Sequence, residues 1–180
     1  HVFGVVLLND WSARDVQAFE TRPLGPMLGK SFATSISGWV TPLDQLAAAW
    51  VDPPPRDPAP LPHLRGAGDR GLDVALELSI NGEPVSWPPA ADLYWTAAQL
   101  VTHLTSNGAR LRPGDLLGSG TVSGARREQR GCLLELSWGG TEPVVVGAGA
   151  RTYLEDGDEV VITATAPAVG GGRLELGEVR

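Results

Sequence analysis

The chain has 180 residues, 42% of them hydrophobic, which suits one folded domain with a sizeable core and excludes a disordered chain. Its formal net charge of −7 argues against nucleic acid as a partner, because a nucleic-acid surface needs clustered basic residues. No apolar run approaches the roughly 20 residues of a membrane helix, so we expect no membrane partner either.

Cys132 is the only cysteine, so an internal disulfide and a cysteine-based metal site are excluded. A lone packed thiol is compatible with a reducing environment, and we expect a cytoplasmic protein. The opening residues have neither a methionine nor the charged segment of a signal peptide. Since the chain starts within a strand-like run, we expect it to be part of a longer protein.

The first forty residues contain a strand, a helix and a loop. The apolar run over residues 3–9 predicts a strand, and residues 10–20 predict a helix that Asn9 or Asp10 can cap. Proline and glycine residues over 22–35 predict an ordered loop without regular helix.

The rest of the chain predicts mostly short strands. Residues 52–71 are rich in proline and then in glycine, and they predict an irregular surface connection. The alternating pattern over 72–80 predicts a half-buried strand, which Asn81-Gly82 turns into a hairpin. A helix with apolar spacing follows and ends at Asn107-Gly108. The remaining predicted strands include 132–138, which forms a second hairpin about Gly139-Gly140. Residues 153–166 predict a turn followed by another strand, and residues 172–179 predict a last one.

Many short strands with few helices predict a β-rich α+β fold, a mixed β-sandwich or roll with a few short helices. We expect residues 1–180 to form one domain, because the pieces on either side of the proline-rich connection are too small to fold alone.

The stretch "NDWSARDVQ" offers the first candidate site. Asp10, Arg14 and Gln17 follow i, i+4, i+7 spacing, which places them on one face of the predicted helix. Asp10 could ligate a hard cation such as calcium or magnesium, and the other two could bind substrate oxygens. The alternative is a surface ion pair with a helix cap, worth a few tenths of a kcal/mol, and spacing alone favours it.

The stretch "PLGPMLGKSFATS" offers the second. Lys30 is the only lysine among the 14 lysine and arginine residues. It directly follows Gly29, which with Gly25 could let the backbone approach another group closely. A fixed ammonium group could stabilise an oxyanion, with Thr34 close by in sequence. A rigid turn that carries an exposed lysine is the alternative.

Two weaker candidates lie further along. The segment "GSGTVSG", with Thr121 at its centre, could cradle an anion through backbone N–H groups, although a glycine-rich strand end is commoner. Glu135 interrupts an apolar predicted strand and could orient a general base, although a solvent-facing side chain is the simpler interpretation. The histidines are poor candidates for a metal cluster: they are His1, His63 and His103.

Taken in order, these blocks resemble the C-terminal part of the fumarylacetoacetate hydrolase family, over nearly all of the chain. The blocks that carry the resemblance are "FGVVLLNDWSARDVQ", "PLGPMLGKSFATSISGWVTPLDQL", "LRPGDLLGSGTVSG", "LLELSWGGTEPV" and "LEDGDEVVITA". Within the family, the first two are more similar to the enzymes that hydrolyse fumarylacetoacetate than to the acylpyruvase and isomerase relatives.

The resemblance implies a homodimeric enzyme that hydrolyses a carbon–carbon bond in a β-diketo acid, converting fumarylacetoacetate to fumarate and acetoacetate in tyrosine and phenylalanine catabolism. It implies a calcium or magnesium ion, with Asp10 as a ligand and with Lys30 and Thr34 at positions of a magnesium site. Such an ion would stabilise the charge that develops on a chelated diketone.

The resemblance also implies which side chains meet the substrate. Arg14, Gln17 and Lys30 match groups that bind substrate oxygens and stabilise negative charge. Thr121 matches a substrate-binding threonine, and Glu135 matches a glutamate that pairs with a catalytic histidine.

The sequence departs from the family pattern in two respects. Thr21 stands where the family has a substrate-holding tyrosine, so specificity could differ. The general-base histidine and the other metal carboxylates have no counterpart in this sequence, so we expect a partial catalytic domain that is inactive alone. The alternatives are another enzyme of the superfamily (an acylpyruvate hydrolase, a 2-oxo acid decarboxylase or an isomerase) or a non-catalytic, truncated β-rich module.

Overall fold

The computed structural model describes residues 1–66 and 69–180 and has twelve short strands, four short α-helices and four single-turn 3-10 helices in these ranges. The strands are β1 Gly4–Val5, β2 Leu8–Asp10, β3 Thr34–Ile36, β4 Thr41–Pro42, β5 Trp50–Val51, β6 Gly71–Leu72, β7 Ala75–Ile80, β8 Glu83–Ser86, β9 Val144–Val146, β10 Gly149–Arg151, β11 Val160–Pro167 and β12 Arg173–Val179. The helices are α1 Arg14–Glu20, α2 Leu28–Ser31, α3 Ala97–Thr105 and α4 Leu133–Leu136. The predicted β-rich α+β fold is confirmed.

The central element is a four-stranded antiparallel sheet in the order β12-β11-β7-β8. Strand β11 alternates buried and half-buried residues, and Ile162, Ala164 and Ala166 face the core. The predicted hairpin between β7 and β8 is confirmed, because Asn81 and Gly82 adopt φ values of 54° and 80°, which a type I′ turn requires.

The core lies against one face of this sheet. Leu176 of β12 is 2% exposed, and Leu46 and Ala49 from the connection after β4 are fully buried. Leu7, which precedes β2, belongs to the same cluster and links the first strands to the sheet. The N-terminal block is therefore fixed to the sheet by apolar contact, the dominant favourable term in folding.

The proline-rich connection is irregular, as predicted, and it is anchored to helix α3. The Arg56 guanidinium is 6% exposed, donates to Asp69 at 2.9 Å and lies over the rings of Tyr94 and Trp95. The same Asp69 accepts hydrogen bonds from Thr96 and Gln99, the two residues that form the capping box of α3. Residues 67 and 68 of this connection lie outside the described residues.

Two sequence predictions about local structure are wrong at functionally important places. Helix α1 begins at Arg14, after Ala13, so neither Asn9 nor Asp10 caps it, and Asp10 ends strand β2 instead. The predicted loop over 22–35 contains helix α2 and strand β3, because a helical turn fits between its proline and glycine residues.

The predicted strand over 132–138 is also wrong. The Leu136 N–H donates to the Cys132 carbonyl at 3.0 Å, which closes the helical turn of α4. Trp138, Gly139 and Gly140 then adopt φ values of 49°, 67° and 84°, which no strand can follow. Strand β9 consequently pairs with β10 rather than with this segment.

Across the described ranges, we find no helix with the length and apolar character needed to cross a bilayer.

Asp158 joins the turn before β11 to the β7–β8 hairpin. Its carboxylate accepts two hydrogen bonds from Arg151, at 2.8 and 3.0 Å, and others from the Glu155 backbone and the Asn81 side chain. The Arg151 hydrogen bond, followed by those of Glu155 and Asn81, lowers the pKa of Asp158 far below its ordinary value.

We predict that Asp158→Asn lowers the midpoint of thermal unfolding at neutral pH. Because the folded-state pKa lies below the unfolded-state pKa, the wild-type carboxylate stabilises the fold above about pH 4 and loses that effect as the pH falls further. The difference between wild type and variant should therefore shrink between about pH 5 and pH 2.

The exposed neighbour Asp156 supplies the control variant Asp156→Asn, which should unfold as the wild type does. Calorimetric scans across the pH series provide the measurement, and a difference independent of pH would contradict this account.

Candidate functional site

Strands β2 and β3 form the floor of the candidate site. They pair in antiparallel register, with Asp10 opposite Thr34, and the Trp11 indole N–H donates to Ser35 Oγ at 2.9 Å. The Asp10 side chain is 45% exposed at the end of its strand. The ladder thus places a carboxylate and a threonine hydroxyl side by side, although they are 24 residues apart in sequence.

Helix α1 supplies a guanidinium and an amide. Arg14 NH1 donates to Gln17 Oε1 at 3.0 Å, so the two side chains form one unit on the first turn. The predicted i, i+4, i+7 face does not hold for Asp10, which lies on a strand. The strand end and the helix nevertheless bring all three side chains to the same cavity.

Lys30 of helix α2 completes the polar cluster. Its ammonium donates to Asp10 Oδ2 at 3.0 Å and to Ser12 Oγ at 2.9 Å. With side-chain exposures of 32% and 45%, the Lys30–Asp10 ion pair is worth only about 0–1 kcal/mol. The pair therefore orients the ammonium group, while the position of the backbone beneath it must come from other contacts.

A close contact between α1 and α2 fixes that backbone. Gly29 is buried, and its carbonyl accepts the N–H of Ala13 at 2.9 Å. A Cβ at this position would lie 2.7 Å from the Gln17 nitrogen, so only glycine permits this approach.

Glu20, the last residue of α1, reaches the start of α2. Its carboxylate accepts hydrogen bonds from three successive backbone N–H groups, those of Met27, Leu28 and Gly29, at 2.9, 3.1 and 3.0 Å. These bonds lower the pKa of Glu20, and the bond from Gly29 contributes most to that shift. The carboxylate thereby satisfies N–H groups that a helix start leaves without partners.

Four of the groups from the first thirty residues line one large cavity of about 2180 Å³. Apolar residues of the central sheet, including Leu78 and Ile162, line the same cavity. Five of the predicted site residues are among its lining residues, and Thr34 is not: they are Asp10, Arg14, Gln17, Lys30 and Thr121. The cavity therefore offers two cations that can bind anionic or carbonyl oxygens, with apolar side chains for the remainder of a ligand.

The structure separates Glu135 from this cluster. Glu135 lies on α4, not on a strand, and Oε2 accepts the hydroxyl of Ser123, which itself accepts the N–H of Gly131. With Arg130 and Trp138 it lines a second cavity of about 450 Å³, and Leu134 borders both cavities. Its predicted pairing with a histidine stays a prediction.

The side chains described here do not fit a calcium or magnesium ion by themselves. Within residues 1–66 and 69–180, no group of three histidine, cysteine, aspartate or glutamate side chains is close enough together to hold a metal ion. Asp10 is the one carboxylate predicted as a ligand, and it is paired with an ammonium group. Calcium takes 6–8 oxygen ligands, so Asp10 and Thr34 would supply a minority of them.

Sequence reasoning missed Ser12 and Glu20. The close backbone approach predicted at Gly29 is confirmed, whereas a Cβ at Gly25 would meet nothing within 4 Å. Glu20 was identifiable in principle, since an acid at the end of a helix and before a Pro/Gly turn can accept the free N–H groups at the start of the next helix. Ser12 carries no such signal, because its role depends on how α2 folds back onto α1.

We predict that Gly29→Ala destabilises the protein by about 1–3 kcal/mol, because the added methyl group must push α2 away from the Gln17 backbone. Urea unfolding monitored by tryptophan fluorescence measures the change. Gly38→Ala is the matched control, since a Cβ at Gly38 meets no atom within 4 Å, and it should shift stability by less than about 0.5 kcal/mol. Equal stabilities for the two variants would contradict the close contact.

The sequence was compared with families and curated proteins. The model of the family described as "Fumarylacetoacetate (FAA) hydrolase C-terminal" matches residues 1–179. Fumarylacetoacetases of Rattus norvegicus, Homo sapiens and Oryza sativa subsp. japonica are 51%, 49% and 46% identical over 170, 170 and 176 residues, which is 91%, 91% and 94% of this chain. The chain spans only 41% of the length of each of these relatives. The match to the family model, over almost the whole sequence, shows that the chain belongs to the fumarylacetoacetate hydrolase family and corresponds to its C-terminal part.

Proposed function

We propose that this chain is the C-terminal part of an enzyme that hydrolyses the carbon–carbon bond of a β-diketo acid, with fumarylacetoacetate as substrate and fumarate and acetoacetate as products. The names of the relatives support this substrate. The structural observation that carries the proposal is the convergence of Arg14, Gln17 and Lys30 on one cavity.

The reaction develops negative charge twice. Water adds to a carbonyl carbon and loses a proton, which leaves an oxyanion on the former carbonyl oxygen. The carbonyl then re-forms as the adjacent carbon–carbon bond breaks, and the bonding electrons pass to the leaving fragment as an enolate. Protonation of that enolate carbon gives acetoacetate. Fixed positive groups that face both charges lower both barriers.

Arg14, Gln17 and Lys30 are suited to these charges. Gln17 Oε1 is engaged by Arg14, so the amide nitrogen is the part of Gln17 left to donate to a substrate oxygen. Lys30 is held by Asp10 and Ser12 and presents a compact charge. Thr121 lines the same cavity. The site therefore has two cations and two neutral donors, and a diketo diacid has four oxygen-bearing groups, two carboxylates and two ketones.

A calcium or magnesium ion remains part of the proposal. The metal would have Asp10 as one ligand and would take further carboxylates from outside this chain, because the described residues provide too few. A homodimer in the cytoplasm is also proposed, on the family resemblance and on the single cysteine.

We predict that Lys30→Met in the full-length enzyme lowers kcat for fumarylacetoacetate by about 10²-fold or more, the typical cost of one lost oxyanion donor. Lys30→Arg should recover only part of this loss, because the broad planar guanidinium does not reproduce the compact ammonium charge that contacts both Asp10 and Ser12. Steady-state loss of substrate absorbance gives the rates.

Arg173→Met is the control, since Arg173 lies on β12 and bonds to Thr165 of the sheet. It should leave kcat unchanged. Undiminished turnover by Lys30→Met would refute the proposed role of the lysine. If the wild type hydrolysed an acylpyruvate faster than fumarylacetoacetate, or decarboxylated a 2-oxo acid faster, another reaction of the superfamily would be favoured.

We predict that the 180-residue chain alone binds Ca²⁺ with a Kd weaker than about 1 mM, the weak limit of natural calcium sites, because Asp10 is the sole predicted carboxylate ligand. The full-length enzyme should bind Ca²⁺ at least about tenfold more tightly than the 180-residue chain does. The Asp10→Asn variant of the full-length enzyme should lose this difference in affinity. Isothermal titration calorimetry makes the comparison. Tight binding by the 180-residue chain, unchanged in Asp10→Asn, would contradict the proposed metal position.

A further inference from the structure

We propose that Glu20 is the positioning residue for Lys30: its carboxylate holds the turn that carries the lysine against helix α1, and so places the ammonium group over the cavity. The inference deepens the proposed function and rests on it for the role of Lys30 in the reaction. The geometry on which it is built is independent of any substrate.

Apolar packing does not fix the turn that carries Lys30. The side chains around it project outward, with Leu24, Leu28 and Phe32 84%, 72% and 60% exposed. Gly29 is the one buried residue of α2 and has no side chain to pack. Helix α2 spans four residues, and a single helical turn is not stable without external contacts.

Hydrogen bonds that the Glu20 carboxylate accepts supply those contacts. Oε2 accepts from the N–H groups of Met27 and Gly29, and Oε1 accepts from that of Leu28. Both carboxylate oxygens are therefore used, and the three N–H groups belong to the residues immediately before Lys30. A carboxylate that accepts several backbone donors forms stronger hydrogen bonds than a neutral acceptor does.

The backbone N–H and carbonyl of Gly29 are held at opposite ends of helix α1. Its N–H is bound by Glu20 at the C-terminal end of α1, and its carbonyl is bound by Ala13 before the N-terminal end. The next residue, Lys30, then extends to Asp10 and Ser12, which precede α1. Release of the Glu20 contacts leaves the Ala13 hydrogen bond on the Gly29 backbone, and on the Lys30 side chain the weak ion pair with Asp10 and the hydrogen bond to Ser12.

The sequence permits a direct test, because Lys30 is the only lysine in the chain. Trinitrobenzenesulfonate labels amines, and peptide mass spectrometry separates the Lys30 product from that of the terminal amine. Glu20→Gln keeps the size of the side chain but loses one acceptor and the charge. We expect it to raise the labelling rate of Lys30 by about fivefold, and Glu20→Ala to raise it further, because local opening exposes the amine.

Glu175→Gln is the matched control, since Glu175 lies exposed on β12, away from the cavity, and undergoes the same chemical change. Its labelling rate should stay within about twofold of wild type, the spread expected of a distant surface change. Urea unfolding of each variant distinguishes local release from global unfolding: Glu20→Gln should label faster even after its rate is corrected for the unfolded fraction.

The same substitutions in the full-length enzyme test whether the placement of Lys30 by Glu20 matters for the reaction. We expect Glu20→Gln to lower kcat for fumarylacetoacetate by about tenfold with a smaller change in KM, because misplacement of a donor costs more in the transition state than in substrate binding. Faster labelling together with lower kcat supports the proposal.

An unchanged labelling rate in both Glu20 variants overturns the positioning role, and unchanged kcat despite faster labelling overturns its importance for the reaction. A wild-type enzyme that does not hydrolyse fumarylacetoacetate would overturn the proposed function, and the labelling result would still decide whether Glu20 places Lys30.

Discussion

The approach of the Gly29 backbone to helix α1 is the constraint on which the candidate site depends. The Gly29 backbone lies so close to Gln17 that no Cβ would fit between them. Glu20 accepts the Gly29 N–H, and Ala13 donates to the Gly29 carbonyl. This contact sets the backbone position of Lys30, and therefore whether its ammonium group can reach Asp10 and Ser12. Arg14, Gln17 and Lys30, the groups proposed to meet a ligand, therefore all rest on this pair of small helices.

The cavity combines two surfaces with different origins. One wall is the polar cluster carried by α1 and α2, and the other is the apolar face of the central sheet. Leu7, just before β2, is buried in the same core as Leu176 of the sheet, which ties the two walls together. A ligand that carries several oxygens on a short carbon chain suits such a space, because its oxygens can meet fixed donors while its carbon atoms leave water.

The sequence predicted the sheet better than the site. Strands β7, β11 and β12 and the Asn81-Gly82 turn follow from alternation and turn chemistry, which are local signals. The same signals misplaced Cys132–Trp138, where apolar residues match a strand but a helical turn and three left-handed residues follow. They also placed Asp10 on a helix, because its pairing with Thr34 across the β2–β3 ladder is a contact that local patterns do not encode. The family resemblance supplied the predicted site residues. The glycine pattern predicted a close backbone approach at Gly29, but its partner Gln17 and the role of Glu20 became visible only when α2 was seen to fold back on α1.

The central claim is that Lys30 and Arg14 hold the oxygens of a dicarbonyl acid in this cavity. The most direct measurement is a crystal structure of the full-length enzyme with acetoacetate or fumarate bound. The account predicts ligand oxygens within hydrogen-bond distance of both the Lys30 ammonium and the Arg14 guanidinium. A ligand bound elsewhere, with those two side chains turned away from it, would contradict the account.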